Sequence, residues 1–520
     1  MIEATHPPST EAQARYRADG SWGDVVDLVG QAARHAPERL ALVDRRERLS
    51  YAELDAAVES LALTWLAQGV SPETTIIVVP DNSCRAAVAV HALRRLGAPC
   101  VLLSDHSSDA ELTVASDRTS PRRLVAIGDR AEALARRHPE LHWLDAEPEM
   151  VDVPEATFPI SAGERPNLVL FTSGSTARPK GVVHSASTIR HGARNYVEAL
   201  ELTSEECLFV VSPLSSVTGV LQILEIAPMV HAGAALVADW DDERSFDLLL
   251  DAHGTFYGGP DVILRRLFEE AARRGVSELP LRRVSLGGTM LDDELLEMAE
   301  HRFAITVTRA YGSSEAPMST TTPLAAPSEV RFHRDGRANR GVAVRLGSPR
   351  DPAECALSGP HLFLGYLDEE DNEGSFDGDW FLTGDAGSLE DGELKITGRL
   401  KEIVIRNGLK ISMVEVEQVA ASLPGVRDAA CFVQPDPATG ERLALALYVS
   451  SEARLSFEGV IDELLARGLS RRSLPEELVV WDTPFPLTTT QKLSRTALAA
   501  GSDGRVRHLA ERLRTGASGS

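Results

Sequence analysis

A dense cluster of hydroxyls, glycines and cations follows an apolar run in the first half of the sequence. After Leu168-Val-Leu the chain reads Phe-Thr-Ser-Gly-Ser-Thr-Ala-Arg-Pro-Lys. Hydroxyls and backbone N–H groups can surround phosphate oxygens, glycine allows the main chain to approach closely, and the cations supply charge. The candidate phosphate ligands are Thr172, Ser173, Gly174, Ser175, Thr176, Arg178 and Lys180. An ordinary polar surface loop is the alternative interpretation.

This loop is not a Walker loop. The pattern G-x-x-x-x-G-K-[ST] needs Gly before the lysine and Ser or Thr after it, whereas here Pro179 precedes Lys180 and Gly181 follows it. A kinase of the Walker type is therefore disfavoured. A serine hydrolase is also disfavoured, because the G-x-S-x-G elbow is not found.

Three later segments give the phosphate loop a family context. They are Tyr311-Gly-Ser-Ser-Glu315, Thr383-Gly-Asp385 with Gly398-Arg399-Leu-Lys401, and Pro486-Leu-Thr-Thr-Thr-Gln-Lys492. Their order and wide spacing resemble the adenylate-forming superfamily of acyl-CoA and aryl-CoA synthetases, peptide-synthetase adenylation domains and beetle luciferases. The resemblance extends from about residue 15 to residue 500. The segments at 15–22 and 239–244 are most similar to stand-alone ligases for cyclic or aromatic acids.

The resemblance implies a role for each of these residues in joining a carboxylate to AMP. In that reaction one anion attacks the α-phosphorus of another, so the site must screen charge and align the reactants. Glu315 would hold Mg²⁺, Tyr311 would stack on adenine, and Asp385 would accept hydrogen bonds from the ribose hydroxyls. The remaining nucleotide contacts that the resemblance implies are Gly288, Gly312, Ser313, Ser314 and Arg399, and the implied acid pocket contains Ser216, Gly219, Gly259 and Gly287.

Lys492 is the candidate catalytic lysine of the C-terminal part. A lone lysine near a C-terminus is usually a solvated surface charge, but this segment resembles the mobile family loop whose lysine reaches the carboxylate and the α-phosphate. A compact ammonium on a flexible stem can follow developing negative charge. Lys401 corresponds to the family's hinge, so the resemblance implies two domain arrangements, one for each half of the reaction. Together with Glu315 and Lys180, Lys492 forms the predicted catalytic set.

Three positions depart from the family pattern. Ala177 stands where the loop usually has Gly, and Gln491 stands where Gly usually precedes the lysine. Both changes are compatible with adenylation. Ser216 stands where CoA ligases commonly carry His, beside the acid pocket and the pantetheine channel. This change either alters the acid or acceptor, or reflects drift to a smaller pocket-lining residue.

Composition sets further expectations for the protein. The 520 residues predict more than one domain. The 77 acidic residues exceed the 53 Lys and Arg residues, and the resulting net charge of −24 disfavours a nucleic-acid surface. The five cysteines contain no C-x-x-C pair, which favours reduced thiols over a disulfide framework or a zinc site. We found no signal-like start and no apolar run of ~18 residues, so a cytoplasmic protein without a membrane partner is expected.

Helix-like and strand-like segments alternate along most of the chain. Ser50 followed by Glu53 predicts a capped helix to about Ala67, and Thr75-Ile-Ile-Val-Val predicts a strand of a parallel or mixed sheet. Asp391-Gly392 predicts a hairpin turn. The expected fold class is α/β, with a large N-terminal domain of layered sheets covered by helices and a small, mobile α+β C-terminal domain. The N-terminal acid- and ATP-binding domain should span 1–398, the hinge 399–401, and the C-terminal domain 402–520.

The resulting hypothesis is an enzyme that uses ATP and Mg²⁺ to convert a small acid, aromatic or cyclic, into an acyl-AMP. CoA is the leading acceptor. A carrier-protein thiol is an alternative, and so is activation of nitrite to diazotise an aryl amine in secondary metabolism. A catalytically inactive nucleotide-binding relative is the distant alternative, disfavoured by the presence of Lys492, Glu315 and Asp385. A monomer and a homodimer are both compatible with the sequence.

Overall fold

The computed structural model describes residues 27–146, 165–172, 179–287, 291–406, 409–449, 456–486 and 493–510. Several residues of interest from the sequence lie outside these ranges, namely Ser173, Gly174, Ser175, Thr176, Arg178, Gly288 and Lys492. The side chains of Thr172 and Lys401 are also outside the description.

The chain divides into two compact units. The first contains the described residues up to Thr383 together with Ser388–Lys395, and the second contains Gly384–Gly387 and the described residues from Ile396 onward. Residues 384–387 and 396–398, which the sequence assigned to the N-terminal domain, thus group with the second unit. The hinge at 399–401 stays a prediction.

A nine-stranded sheet is the larger of two sheets that lie wholly in the first unit. In spatial order its strands are Arg337–Ala338, Thr320–Thr321, Thr306–Tyr311, Arg283–Leu286, Phe256–Gly259, Cys207–Val210, Gly233–Leu236, Leu40–Val43 and Arg48–Ser50. All neighbours between Thr306–Tyr311 and Leu40–Val43 pair in parallel. The carboxyl ends of these strands therefore share one edge of the sheet.

A seven-stranded sheet forms the second layer. Its strands, in spatial order, are Gly365–Tyr366, Lys180–Ser185, Pro166–Thr172, Cys100–Leu102, Ile76–Val79, Arg123–Ala126 and Trp143–Leu144. Ile76–Val79 is buried throughout, as its unbroken apolar sequence predicts for a parallel strand covered on both faces.

Helices cover and separate the two sheets. They are Leu28–His35, Tyr51–Ala67, Cys84–Arg95, Asp109–Thr119, Asp129–Arg137, Ala186–Ala199, Val217–Gly219, Ala227–Val230, Asp242–Asp251, Asp261–Arg274, Asp293–Glu297, Ser328–His333 and Glu369–Asn372, with π-helical segments at Val220–Ile226 and Met298–Arg302. The helix Tyr51–Ala67 begins at a capping box formed by Ser50 and Glu53, which confirms the sequence prediction.

The cores show how these layers are stacked. Because side chains alternate along a strand, Ile76 and Val78 share one core with Leu208 of the nine-stranded sheet, while Ile77 and Val79 face the opposite way. The outer face of the nine-stranded sheet packs on helices through a separate core that includes Phe209. The first unit is therefore built of helix, sheet, helix, sheet and helix layers. The predicted α/β fold class is confirmed.

A five-stranded sheet contains the strands between residues 343 and 399. The strands are Ala343–Leu346, Glu354–Ser358, Trp380–Glu390, Phe376–Asp377 and Glu393–Arg399. Asp391 and Gly392 join two of them with φ of 52° and 81°, the left-handed backbone that the predicted Asp-Gly turn requires.

The second unit has its own sheet and core. The strands are Ile403–Arg406, Leu409–Ser412, Val426–Asp436, Gly440–Val449, Glu477–Trp481 and Arg507–Leu509. The helices are Met413–Ala421, Phe457–Ala466 and Arg495–Gly501, with 3₁₀ turns at Leu400–Glu402 and Arg471–Ser473. Within the described part of the chain, we find no helix that is long and apolar enough to cross a membrane.

Candidate active site

Three predicted site residues lie at the carboxyl ends of adjacent parallel strands. Gly259 ends one strand, Gly287 follows the next, and Tyr311 ends the third. The register pairs Gly259 with Leu286, and Leu286 with Arg309, so these strand ends lie side by side. In parallel sheets, ligands commonly bind at such an edge. A Cβ at Gly287 would lie 3.5 Å from the Ala310 oxygen, which is ordinary van der Waals contact.

The turn after Tyr311 is tight and presents Glu315. A Cβ on Gly312 would lie 2.7 Å from the Met318 nitrogen and 2.8 Å from the Ala316 oxygen, so the turn needs glycine here. The Ser313 hydroxyl accepts hydrogen bonds from the backbone N–H groups of Glu315 and Ala316, at 3.2 and 3.3 Å. These contacts fix the backbone that carries the Glu315 carboxylate.

Glu315 and Lys180 meet at the same aromatic ring, that of Tyr366. The Tyr366 hydroxyl donates a hydrogen bond of 2.8 Å to Glu315 Oε1. The Lys180 Nζ lies 4.3 Å from the centroid of the Tyr366 ring, a cation–π distance. The structure therefore brings the Glu315 carboxylate and the Lys180 ammonium to one side chain, although the two residues are far apart in the sequence.

Lys180 also has an acidic partner in the short helix Glu369–Asn372 that follows Tyr366. Its Nζ lies 3.5 Å from Asp371 Oδ1, and the two side chains are 29% and 19% exposed. Nearby, Arg118 donates to the Pro179 carbonyl at 2.8 Å and pairs with Asp368 at 3.1 Å. Arg118 thus connects the start of this acidic helix to Pro179 at the C-terminal end of the predicted phosphate loop.

A buried histidine links the strand of Lys180 to the turn of Glu315. His184 Nε2 lies 2.7 Å from the Ser314 carbonyl, which can only accept, so Nε2 carries the proton and donates. Its Nδ1 lies 2.9 Å from the Thr188 hydroxyl. Burial lowers the pKa of His184 to about 4, although the hydrogen bond to Ser314 opposes this shift. A neutral imidazole therefore ties these two parts of the site together.

The predicted acid-pocket residues Ser216 and Gly219 form a compact helix start. The Ser216 hydroxyl donates to the Pro213 carbonyl at 2.7 Å and accepts from the Gly219 N–H at 3.2 Å. A Cβ on Gly219 would lie 2.1 Å from the Pro213 oxygen, which excludes any larger residue without rearrangement. The Ser216 hydroxyl is therefore already engaged by its own backbone segment.

Asp385 and Arg399 both belong to the second unit. Asp385 is buried, with 8% of its surface exposed, and Arg399 Nε lies 3.4 Å from its Oδ1. These two residues, predicted to contact ribose, are thus brought together as an ion pair.

Sequence reasoning missed Tyr366, Asp371 and His184. The acidic run after Tyr366 and the histidine four residues after Lys180 are visible in the sequence, but neither forms a recognisable ligand pattern. Their contacts arise from strand pairing, since Tyr366 lies opposite Val182 in the strand that begins at Lys180.

Layered parallel sheets with polar, glycine-containing turns at their carboxyl ends define a class of α/β proteins that bind ligands at that edge. Comparison with known sequences makes the assignment more specific. The chain belongs to the AMP-binding enzyme family, which matches residues 29–367. The predicted resemblance to adenylate-forming enzymes is thereby confirmed, as is the prediction of a ligase-type enzyme.

The relatives that match nearly the whole chain include two bacterial ligases. The medium-chain fatty-acid–CoA ligase of Escherichia coli is 27% identical, over 94% of this chain and 92% of the relative. The salicyl-AMP ligase / salicyl-S-ArCP synthetase of Mycobacterium tuberculosis is 28% identical, over 95% and 93%.

Solved structures of o-succinylbenzoate CoA synthetase from Bacillus subtilis share the fold. The complex with the acyl-adenylate OSB-AMP has a TM-score of 0.81 and 22% identity, covering 91% of this chain and 98% of that chain. The complex with ATP and a magnesium ion has a TM-score of 0.79 and 22% identity, covering 91% and 99%.

Proposed function

We propose that this enzyme uses Mg²⁺ and ATP to convert a small carboxylic acid, aromatic or cyclic, into an acyl-AMP, and then transfers the acyl group to CoA. The observation that carries this proposal is that Glu315 and Lys180 both contact Tyr366. In the sequence, Lys180 ends the segment of hydroxyls and glycines. Relatives named as CoA ligases and as a salicyl-AMP ligase support the same reaction class.

The donor set at Glu315 fits a magnesium ion. Mg²⁺ prefers oxygen ligands and is commonly held by one or two carboxylates together with substrate phosphates. One oxygen of Glu315 accepts a hydrogen bond from the Tyr366 hydroxyl, which orients the carboxylate. When bound, Mg²⁺ would offset charge on the phosphate oxygens. Lys180, at the end of the loop, would contact the β- and γ-phosphates.

The other proposed contacts follow the family pattern. Tyr311 would stack on adenine, while Asp385 and Arg399 would contact ribose. Lys492 would stabilise charge at the α-phosphate, and Lys401 would act as the hinge. The acid would bind at the strand edge, where the proposed lining residues are Ser216, Gly219, Gly259 and Gly287.

The proposed reaction has two steps, adenylation of the acid and transfer of the acyl group to CoA. First, a carboxylate oxygen attacks the α-phosphorus, the bond from that phosphorus to the bridging oxygen breaks, and pyrophosphate leaves. Second, the thiolate of CoA attacks the acyl carbon, a thioester bond forms, and AMP leaves with the former carboxylate oxygen. Cations and oriented N–H groups lower the barrier because negative charge develops at both centres.

A carrier-protein thiol is the second candidate acceptor. It is favoured by the relative named as a salicyl-S-ArCP synthetase, whose name includes an acyl-carrier product. Ser216 stands where CoA ligases commonly carry His, beside the proposed acid pocket and pantetheine channel. This smaller residue favours, as a further candidate, the activation of nitrite for attack by an aryl amine.

The test is a panel of aryl, cyclic and short aliphatic acids incubated with Mg²⁺ and ATP. Separate arms add CoA, a phosphopantetheinylated carrier protein, or nitrite with an aryl amine. The proposal expects AMP formation with an aryl or cyclic acid and an acyl-CoA in the CoA arm, with both lost in Lys180→Ala. AMP formation only in the carrier or nitrite arm would overturn the CoA assignment. Failure of every arm would overturn the proposed function.

A further inference from the structure

Tyr366 occupies a fixed position between the two charged groups of the proposed site. Only 6% of its surface is exposed, and its ring packs edge-on against Phe363 with centroids 4.8 Å apart. Its backbone pairs with Val182, and its N–H donates to Asn372 Oδ1 at 2.8 Å. Strand pairing, ring packing and this amide contact therefore leave the side chain little freedom to move.

This rigid ring presents two different chemical groups. The hydroxyl donates to Glu315 Oε1 at 2.8 Å, while the π-face lies 4.3 Å from the Lys180 ammonium. A second tie comes from the Phe363 N–H, which donates to the Glu315 carbonyl at 2.8 Å. The backbone and the side chain of Glu315 are thus both held by the segment 363–366.

We infer that Tyr366 is a positioning residue for the metal and nucleotide, with its hydroxyl orienting the Glu315 carboxylate and its ring orienting the Lys180 ammonium. This inference rests on the proposed role of Glu315 as the magnesium ligand. The Glu315 carboxylate is then oriented before the metal and ATP bind, so their binding does not include the entropic cost of fixing its rotamer.

The direct test is Tyr366→Phe, which removes only the hydroxyl and keeps the ring beside Lys180. Mn²⁺ binding, followed by electron paramagnetic resonance in the presence of α,β-methylene-ATP, reads the metal site without turnover. The inference expects Mn²⁺ affinity to fall about 10-fold, the order expected for one lost hydrogen bond to a charged group. In turnover assays, the half-saturating Mg²⁺ concentration should rise similarly, with the maximal rate recovering at high Mg²⁺.

Tyr448→Phe is the matched control. Tyr448 accepts a hydrogen bond of 3.2 Å from Arg427 Nη1 in the second unit, so the variant also loses one phenol hydroxyl but not one near Glu315. Its Mn²⁺ affinity should equal that of the wild type. A lower melting temperature in Tyr366→Phe with unchanged Mn²⁺ affinity would show a merely structural role and overturn the inference.

A double-substitution comparison separates this inference from the proposed function. Glu315→Gln should weaken Mn²⁺ binding by itself, and adding Tyr366→Phe should then have little further effect, because both changes remove the same oriented carboxylate. Full additivity of the two effects would overturn the role of Tyr366 alone. Unchanged Mn²⁺ binding in Glu315→Gln would instead overturn the proposed metal ligand.

Discussion

Replacing Asp371 by Asn should tighten the binding of ATP. Lys180 Nζ lies 3.5 Å from Asp371 Oδ1. The phosphates of ATP must therefore compete with the Asp371 carboxylate for Lys180. Once Lys180 contacts the phosphates instead, the negative charge of Asp371 repels them. The Asn side chain keeps the size of Asp and removes the charge, so both effects should diminish.

The geometry limits the size of this effect. At 3.5 Å, an effective dielectric of ~20 gives 332/(20 × 3.5), or about 5 kcal/mol, as an upper bound. Exposed ion pairs contribute only about 0.2–1 kcal/mol. This pair is partly exposed, at 29% and 19%, and Lys180 keeps its contact with Tyr366 in the variant. We therefore expect a gain of about 1 kcal/mol, which lowers the dissociation constant of ATP about fivefold.

Calorimetric titration with α,β-methylene-ATP measures this change without turnover. Glu369→Gln is the control, because it removes the same charge from an exposed position on the same helix. The difference between the two variants should shrink at high salt, since screening weakens charge repulsion. Weaker nucleotide binding in Asp371→Asn would refute the reasoning and show that Asp371 holds Lys180 in its active position.

Two further predictions concern the proposed catalytic lysine, Lys492, and a buried histidine. Lys492→Ala should slow adenylation roughly 10²–10³-fold while leaving consumption of supplied acyl-AMP intact, and an equal loss of both half-reactions would contradict the two-state cycle. Burial, with His191 and His184 nearby, lowers the pKa of His361 to about 3. The unfolded state therefore binds a proton that the folded state excludes as pH falls below about 6.5, so at pH 5 this residue should cost about 2 kcal/mol of stability relative to pH 7.5. Urea unfolding at both pH values should show a smaller loss for His361→Gln than for the wild type or for the exposed control His301→Gln, and equal losses would contradict the assignment.

Local sequence rules predicted the parts of the fold that depend on neighbouring residues. The Ser50 and Glu53 capping box, the Asp391-Gly392 turn and the buried strand Ile76–Val79 each follow from chemistry within a few residues. The order of the motifs also indicated the family. The capping box, the turn and the strand could be predicted because the residues that determine them are adjacent in the sequence.

The arrangement of the site could not be predicted in the same way. Tyr366 and Glu315 are 51 positions apart, and their contact depends on the register between Gly365–Tyr366 and the strand that begins at Lys180. Strand register follows from the packing of a whole sheet face, which no short pattern encodes. The hydrogen bonds of the Ser216 hydroxyl with the Pro213 carbonyl and the Gly219 N–H are local. The comparison with the family pattern, however, indicated only that a histidine side chain is missing at this position.

Exchange of labelled pyrophosphate into ATP, in the presence of the acid that the panel identifies, tests adenylation most directly. Attack on the α-phosphorus makes the first step reversible with pyrophosphate, so we expect acid-dependent exchange that requires Mg²⁺ and is lost in Lys180→Ala. Acid-dependent release of ADP and orthophosphate, without exchange, would contradict adenylation.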